Sequence, residues 1–127
     1  MVIYPAVCHF EDNGYWCEFP DLKGCFSQGS TETEIVENAK EALDCYLESY
    51  LEKGEQLPKA SKITDIKTAG KDFATYIECD VSNTGKSVRK NVTLPEWLCR
   101  RAEKASVNFS QVLQESLIEK LGISATQ

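Results

Sequence analysis

The chain has 127 residues, enough for one domain or two very small ones. With 42% apolar and 27% charged residues it has the composition of a folded protein, which excludes a largely disordered chain. Its net charge of −6, from 14 basic and 20 acidic residues, argues as a whole-chain figure against nucleic-acid binding, because phosphate is repelled by an acidic surface.

The start, Met1-Val2-Ile3-Tyr4-Pro5, has no basic region followed by a long apolar run, and no window reaches the roughly 18 apolar residues of a membrane span. The expected compartment is the cytoplasm. Six cysteines, at 8, 17, 25, 45, 79 and 99, are expected as free thiols, mostly buried, since cytosolic thiols stay reduced. None has C-x-x-C spacing and the only histidine is His9, so neither a zinc site nor any other cofactor is expected.

Residues 2–10 are β-prone and apolar. Glu11-Asp12-Asn13-Gly14 carries a turn signature, and Tyr15-Trp16-Cys17-Glu18-Phe19 reads as the returning strand of a hairpin. Pro20 to Gly24 is a second turn, and Cys25 to Gly29 a short third strand. Thr31 followed by Glu34 is a capping-box pattern. Behind it Ile35, Val36, Ala39, Ala42, Leu43, Tyr46, Leu47, Tyr50 and Leu51 make one apolar face of a long helix that ends at Gly54. Residues 55–70 are loop-like, and Phe73 to Val81 alternates as a fourth strand, with Phe73, Ile77 and Cys79 toward the helix.

The pattern changes after a polar linker, residues 82–87. Val88 to Leu94 reads as a strand with Val88, Val92 and Leu94 on one face and Arg89, Asn91 and Thr93 on the other. A helix over 95–105 follows, with Pro95 in its first turn; a second opens at Asn108, with Gln111 completing a cap, and carries Val112, Leu113, Leu117 and Leu121. Charge divides at the same place. Residues 1–85 hold 16 acidic and 7 basic residues, a balance of −9, whereas residues 86–127 hold 4 and 7, a balance of +3. A strand and two short helices are too few to close a core alone, so the second part is expected to pair its strand with that of another copy. A two-stranded ribbon of that kind fits the DNA major groove.

Two resemblances attach to these patterns. The alternating strand, Leu94-Pro95-Glu96-Trp97-Leu98 and Asn108-Phe109-Ser110-Gln111 resemble the ribbon-helix-helix fold of the Arc and MetJ repressors. That likeness implies base contacts from Arg89, Asn91 and Thr93, phosphate contacts from the amides near Asn108 to Ser110, and further phosphate contacts from Lys86 and Lys90. Lys90 departs from the pattern by falling on the core-facing parity. The segments Tyr4-Pro5-Ala6-Val7, Gly14-Tyr15-Trp16-Cys17-Glu18-Phe19-Pro20-Asp21-Leu22, Gly24 to Gly29 and Ala39 to Leu43 resemble the HicB antitoxin family. The implied fold is α+β. A β-β-β-α-β toxin-binding domain over 1–81 is followed by a ribbon-helix-helix domain over 88–123. The implied partners are a HicA-type RNA-cleaving toxin, operator DNA and a second copy of the chain.

Glu34, Glu37, Glu41, Asp44, Glu48 and Glu52 recur at intervals of three or four, opposite the apolar helix face. They form either a solvated surface or a decoy for a basic toxin, with Glu41 at the centre; Trp16 is a candidate anchor for the same partner. His9 beside Glu11 and Asp12 is not expected to act as a catalytic base. The family's sheet-and-helix domain has been likened to a decayed RNase H fold, but the acids lie in turns and on the helix exterior, and no two-metal site assembles from them. A nuclease, and a plain transcriptional regulator whose first domain senses a ligand or oligomerises, are the competing readings.

Overall fold

The computed structural model describes residues 1–124. Strands β1 (Val2–Glu11) and β2 (Gly14–Glu18) form an antiparallel hairpin closed by Asp12 and Asn13, with Glu11 opposite Gly14. Both loop residues have positive φ, 52° and 61°. That backbone twists with the strands, and Asp and Asn tolerate it better than other side chains bearing a Cβ. The turn is therefore centred one residue earlier than an Asn-Gly turn would be.

With β3 (Phe26–Gly29) and β4 (Phe73–Cys79) the hairpin builds an antiparallel sheet of order β3-β2-β1-β4. The register pairs Cys8 with Cys17, Tyr4 with Ile77 and Val2 with Cys79. These residues are all buried and share the face turned toward helix α1 (Glu32–Glu52). Thr31 Oγ1 accepts the Glu34 N–H at 3.1 Å, and Glu32 and Glu34 suit the positive end of the helix. Ile35, Ala39, Leu43 and Leu47 are fully buried at intervals of four. Each of the larger three contributes about 1.5–3 kcal/mol by leaving water. The apolar face is narrower than its sequence predicts, for Val36 is 37% exposed. Gly54, at φ 70°, follows the last turn in the left-handed conformation that stops the helix.

Helix α1 also guards both sheet edges. Asn38 Nδ2 donates to the Gln28 carbonyl on β3 at 2.8 Å, and Lys40 Nζ to the Glu78 carbonyl on β4 at 2.9 Å. An edge carbonyl already bonded is not free to recruit another strand.

The stretch after the helix is tied down although it reads as loop. Tyr4 Oη donates to the Pro58 carbonyl at 2.6 Å, Asp21 accepts from the Ser61 N–H and hydroxyl at 2.8 and 2.6 Å, and Ile63 N–H donates to Tyr76 Oη at 2.8 Å. A 3₁₀ turn, Ile63–Asp65, lies within it.

The chain divides into two units, Met1–Thr84 and Gly85–Ile123. A second 3₁₀ turn, Val81–Asn83, precedes the division; the Asp80 carboxylate caps it by accepting from the Ser82 N–H at 3.1 Å. In the second unit α2 (Glu96–Lys104) and α3 (Phe109–Lys120) are joined through Ser106 at φ 56°. Pro95 stands just before α2 rather than inside its first turn. Asn108 Oδ1 accepts the Gln111 N–H at 3.0 Å, as the cap pattern predicts.

One expected element is missing. Val88 to Leu94 is not a strand. A strand exists by hydrogen bonding to a neighbour, and among the described residues no second strand lies beside this one. Val88, Val92 and Leu94 are 90%, 57% and 40% exposed.

Candidate functional site

Helix α1 covers one face of the sheet. On the other, strand alternation sets His9 of β1, Trp16 and Glu18 of β2, and Phe26 and Gln28 of β3 side by side, with His9 opposite Trp16, Trp16 opposite Gln28 and Glu18 opposite Phe26. The His9 and Trp16 rings are stacked with centroids 4.4 Å apart, and Trp16 and Phe26 stand at 6.4 Å. Trp16 Nε1 donates to Glu11 Oε2 at 2.9 Å, which fixes the indole in its plane. His9 Nδ1 lies 3.2 Å from Asp72 Oδ2, and the other Asp72 oxygen accepts the Phe10 N–H at 2.8 Å. The Phe10 bond first, and His9 after it, hold the Asp72 carboxyl below its ordinary value. His9 Nε2 faces Glu18 at 3.9 Å and has no hydrogen-bond partner among the described residues.

The acidic residues of α1 lie on the other side of the same unit. Glu34, Glu37, Glu41 and Glu52 are exposed, and Asp44 and Glu48 partly so. Asp44 is ion-paired with Lys40 at 3.3 Å. The candidate toxin-binding residues thus fall on two surfaces, Glu37, Glu41, Asp44 and Glu48 on the helix exterior and Trp16 on the bare sheet face. Glu34 joins the two, since it and Asn38 line a cleft of about 550 Å³ together with Glu11, Trp16 and Gln28 at the β3 edge. Sequence reading missed Phe26 and His9 as neighbours of Trp16. The alternation of each strand was visible, but which residues stand opposite one another depends on register.

In the second unit Lys86, Arg89, Lys90, Asn91, Thr93, Asn108 and Ser110 are all exposed. So is a long series of apolar side chains: Trp97 is 60%, Val112 48% and Leu117 50% exposed, and no residue of either helix is buried. The Asn108 Oδ1 is occupied by its cap bond, and the Asn108 Nδ2 and the amides at the start of α3 are the donors there able to meet an anion.

Cys8, Cys17, Cys25 and Cys79 are buried free thiols, Cys99 is half-buried and Cys45 exposed. Burial pushes the Cys8 thiol up to about 12 and the Cys25 and Cys79 thiols to about 11. Among the described residues no group of three or more His, Cys, Asp and Glu side chains is placed to hold a metal ion. No described helix is long and apolar enough to cross a membrane.

A four-stranded antiparallel sheet under one long helix, followed by two short helices, is an α+β arrangement like that of HicB antitoxins. The family model of the HicB-like antitoxin of bacterial toxin–antitoxin systems matches residues 4–119, and the chain belongs to that family. It is similar to an uncharacterised 14.9 kDa protein of the rep–hol intergenic region of Haemophilus phage HP1, 36% identical over 107 residues that span 81% of this chain and 80% of the relative. Its fold is similar to that of the antitoxin HicB of Burkholderia pseudomallei, with a TM-score of 0.66, 23% identity, and coverage of 95% of this chain and 99% of that one. A chain of a HicA3–HicB3 toxin–antitoxin complex aligns with a TM-score of 0.52 and 27% identity, covering 62% of this chain and 99% of that one.

Proposed function

We propose that this chain is a non-catalytic antitoxin and autorepressor: it binds and neutralises a HicA-type, mRNA-cleaving toxin through its first unit and represses its own operon through the second. The observation that carries the reading is the match of the HicB-like antitoxin family over residues 4–119, which spans both units. The similar HicA3–HicB3 complex supports a HicA-type toxin as partner. A balance of −9 over residues 1–85 suits a basic protein, and Glu34, Glu37, Glu41, Asp44 and Glu48 supply a field that draws one in.

The second unit is incomplete as a single chain. Two copies that pair residues 88–94 antiparallel satisfy the unbonded backbone and bury Val88, Val92, Leu94 and Trp97 with the apolar sides of α2 and α3. Such a ribbon presents Arg89, Asn91 and Thr93 to base edges in the major groove. Lys86, Lys90 and the amides near Asn108 and Ser110 then meet phosphates.

The test is co-expression of the full chain with a HicA-type toxin, taken from the gene adjacent to its own. Relief of toxin-induced growth arrest, co-purification of the two proteins, and retarded migration of DNA from upstream of the operon are expected. A chain that binds the upstream DNA but neither relieves the arrest nor retains the toxin is a plain regulator, and the antitoxin reading falls.

A further inference from the structure

We propose that the tight contact with the toxin is made on the bare face of the sheet, at Trp16, Phe26 and Glu18, and that the acidic exterior of α1 only steers the approach. This rests on the antitoxin reading above and adds where the partner sits and by what chemistry it is held.

Helix α1 covers one face of this antiparallel sheet, and the other face is covered only in part. On the far side the β4 half is closed, for Pro5 and Val7 are buried and Tyr76 Oη is bonded to Ile63. The β2–β3 half is open, with Phe26 61% exposed. A large aromatic on an ordered strand at that exposure marks a binding surface when neighbours extend it, as Trp16 and His9 do here.

The aromatic cluster is also ordered in advance. Glu11 holds the indole from its N–H edge, His9 stacks on its face, and Asp72 holds His9. A partner that docks on rings already fixed loses little side-chain entropy. The strand positions on this open half carry Glu11 and Glu18 and no lysine or arginine. Aromatic centre and anionic rim together fit a surface bearing arginine, whose guanidinium stacks on an aromatic ring and bonds a carboxylate through two N–H groups. The helix exterior lacks this combination. Its acidic row from Glu34 to Glu48 holds no aromatic side chain, and Asp44 already shares its carboxylate with Lys40 in a half-exposed pair. Exposed charges of that kind set association rate more than affinity.

The experiment measures binding of the full chain to a catalytically inactivated HicA-type toxin, by surface plasmon resonance at two salt concentrations. Phe26→Glu and Trp16→Ala are each expected to raise Kd by about 30-fold or more, through faster dissociation. Glu41→Lys is expected to change Kd by less than about threefold, through a slower association whose deficit shrinks at high salt. Melting temperatures close to that of the wild type establish that the variants fold. A second measurement avoids substitution on the face: in a Trp97→Phe background, acrylamide quenching of Trp16 is expected to fall when toxin binds. Wild-type affinity in the Phe26 and Trp16 variants, or unchanged quenching of Trp16 in the complex, overturns the proposal and leaves the antitoxin reading intact. A wild-type chain that binds no toxin overturns that reading instead.

Discussion

A Cβ on Gly29 would stand 2.8 Å from the backbone nitrogen of Ile35. Gly29 is the last residue of β3 and Ile35 lies in the first turns of α1, so the helix is set on the sheet at a distance that only glycine allows. The obstacle is backbone, which cannot rotate away. Gly29→Ala is therefore expected to cost about 1–3 kcal/mol of stability, read as a lower denaturation midpoint by circular dichroism. Because Gly29 also borders the cleft beside Trp16 and Glu34, toxin affinity should fall with it.

Asp72 links stability to acid. Its carboxyl titrates below the ordinary 3.8 in the folded chain because Phe10 N–H, then His9, favours the ionised form. A carboxyl depressed on folding stabilises the fold above the unfolded-state value, and that contribution is lost as pH falls through the folded one. Asp72→Asn should thus be less stable than wild type at neutral pH. It should also lose less on acidification below about pH 4, where wild type surrenders the contribution. Urea denaturation at several pH values measures both effects.

Thiol reactivity should separate the cysteines by position. Cys45 is exposed and should react fastest with a thiol-specific reagent such as a maleimide. Cys8, Cys17, Cys25 and Cys79 lie under α1 or within the sheet with their thiols held protonated, so labelling should wait for unfolding. Mass spectrometry of briefly labelled native protein should find Cys45 modified and these four free.

The second unit should be an assembly surface first and a DNA surface second. Leu113→Asp, on the exposed apolar side of α3, is expected to shift a dimer to monomer in analytical ultracentrifugation and to abolish operator binding with it. Arg89→Ala should leave the dimer and toxin binding intact while weakening specific operator binding by about 1–3 kcal/mol at matched salt. Lys86→Ala, at a position proposed to contact phosphate, should instead weaken binding to all sequences and reduce the salt dependence.

Much of this was readable along the chain because it is local. Thr31 with Glu34 and Asn108 with Gln111 announce helix starts within four residues of sequence, and both bonds form. The buried row Ile35, Ala39, Leu43 and Leu47 follows from helical periodicity, whereas Val36 is on the edge of that row and its exposure depends on what α1 meets. Trp16 was legible as a candidate anchor, but Phe26 beside it was not, since the two are ten residues apart and only pairing of β2 with β3 joins them.

The sequence by itself determined the kinds and order of the elements in the first unit, the helix caps, the opposed charges of the two halves and the likeness to HicB antitoxins. Tertiary structure decided the faces. Whether the hairpin turns at Asp12-Asn13 or one residue later is a small local difference, yet a slip of one residue carries every side chain of a strand to the opposite side of the sheet. That register puts Cys17 under the helix and sets half-buried Trp16 beside His9 and the exposed Phe26 on the opposite face. It also separates the Trp16 surface from the acidic helix exterior. The same reasoning explains Val88 to Leu94. Alternation there reads as the two sides of a strand, but a strand's hydrogen bonds belong to a pair of segments, and among the described residues this segment has no partner.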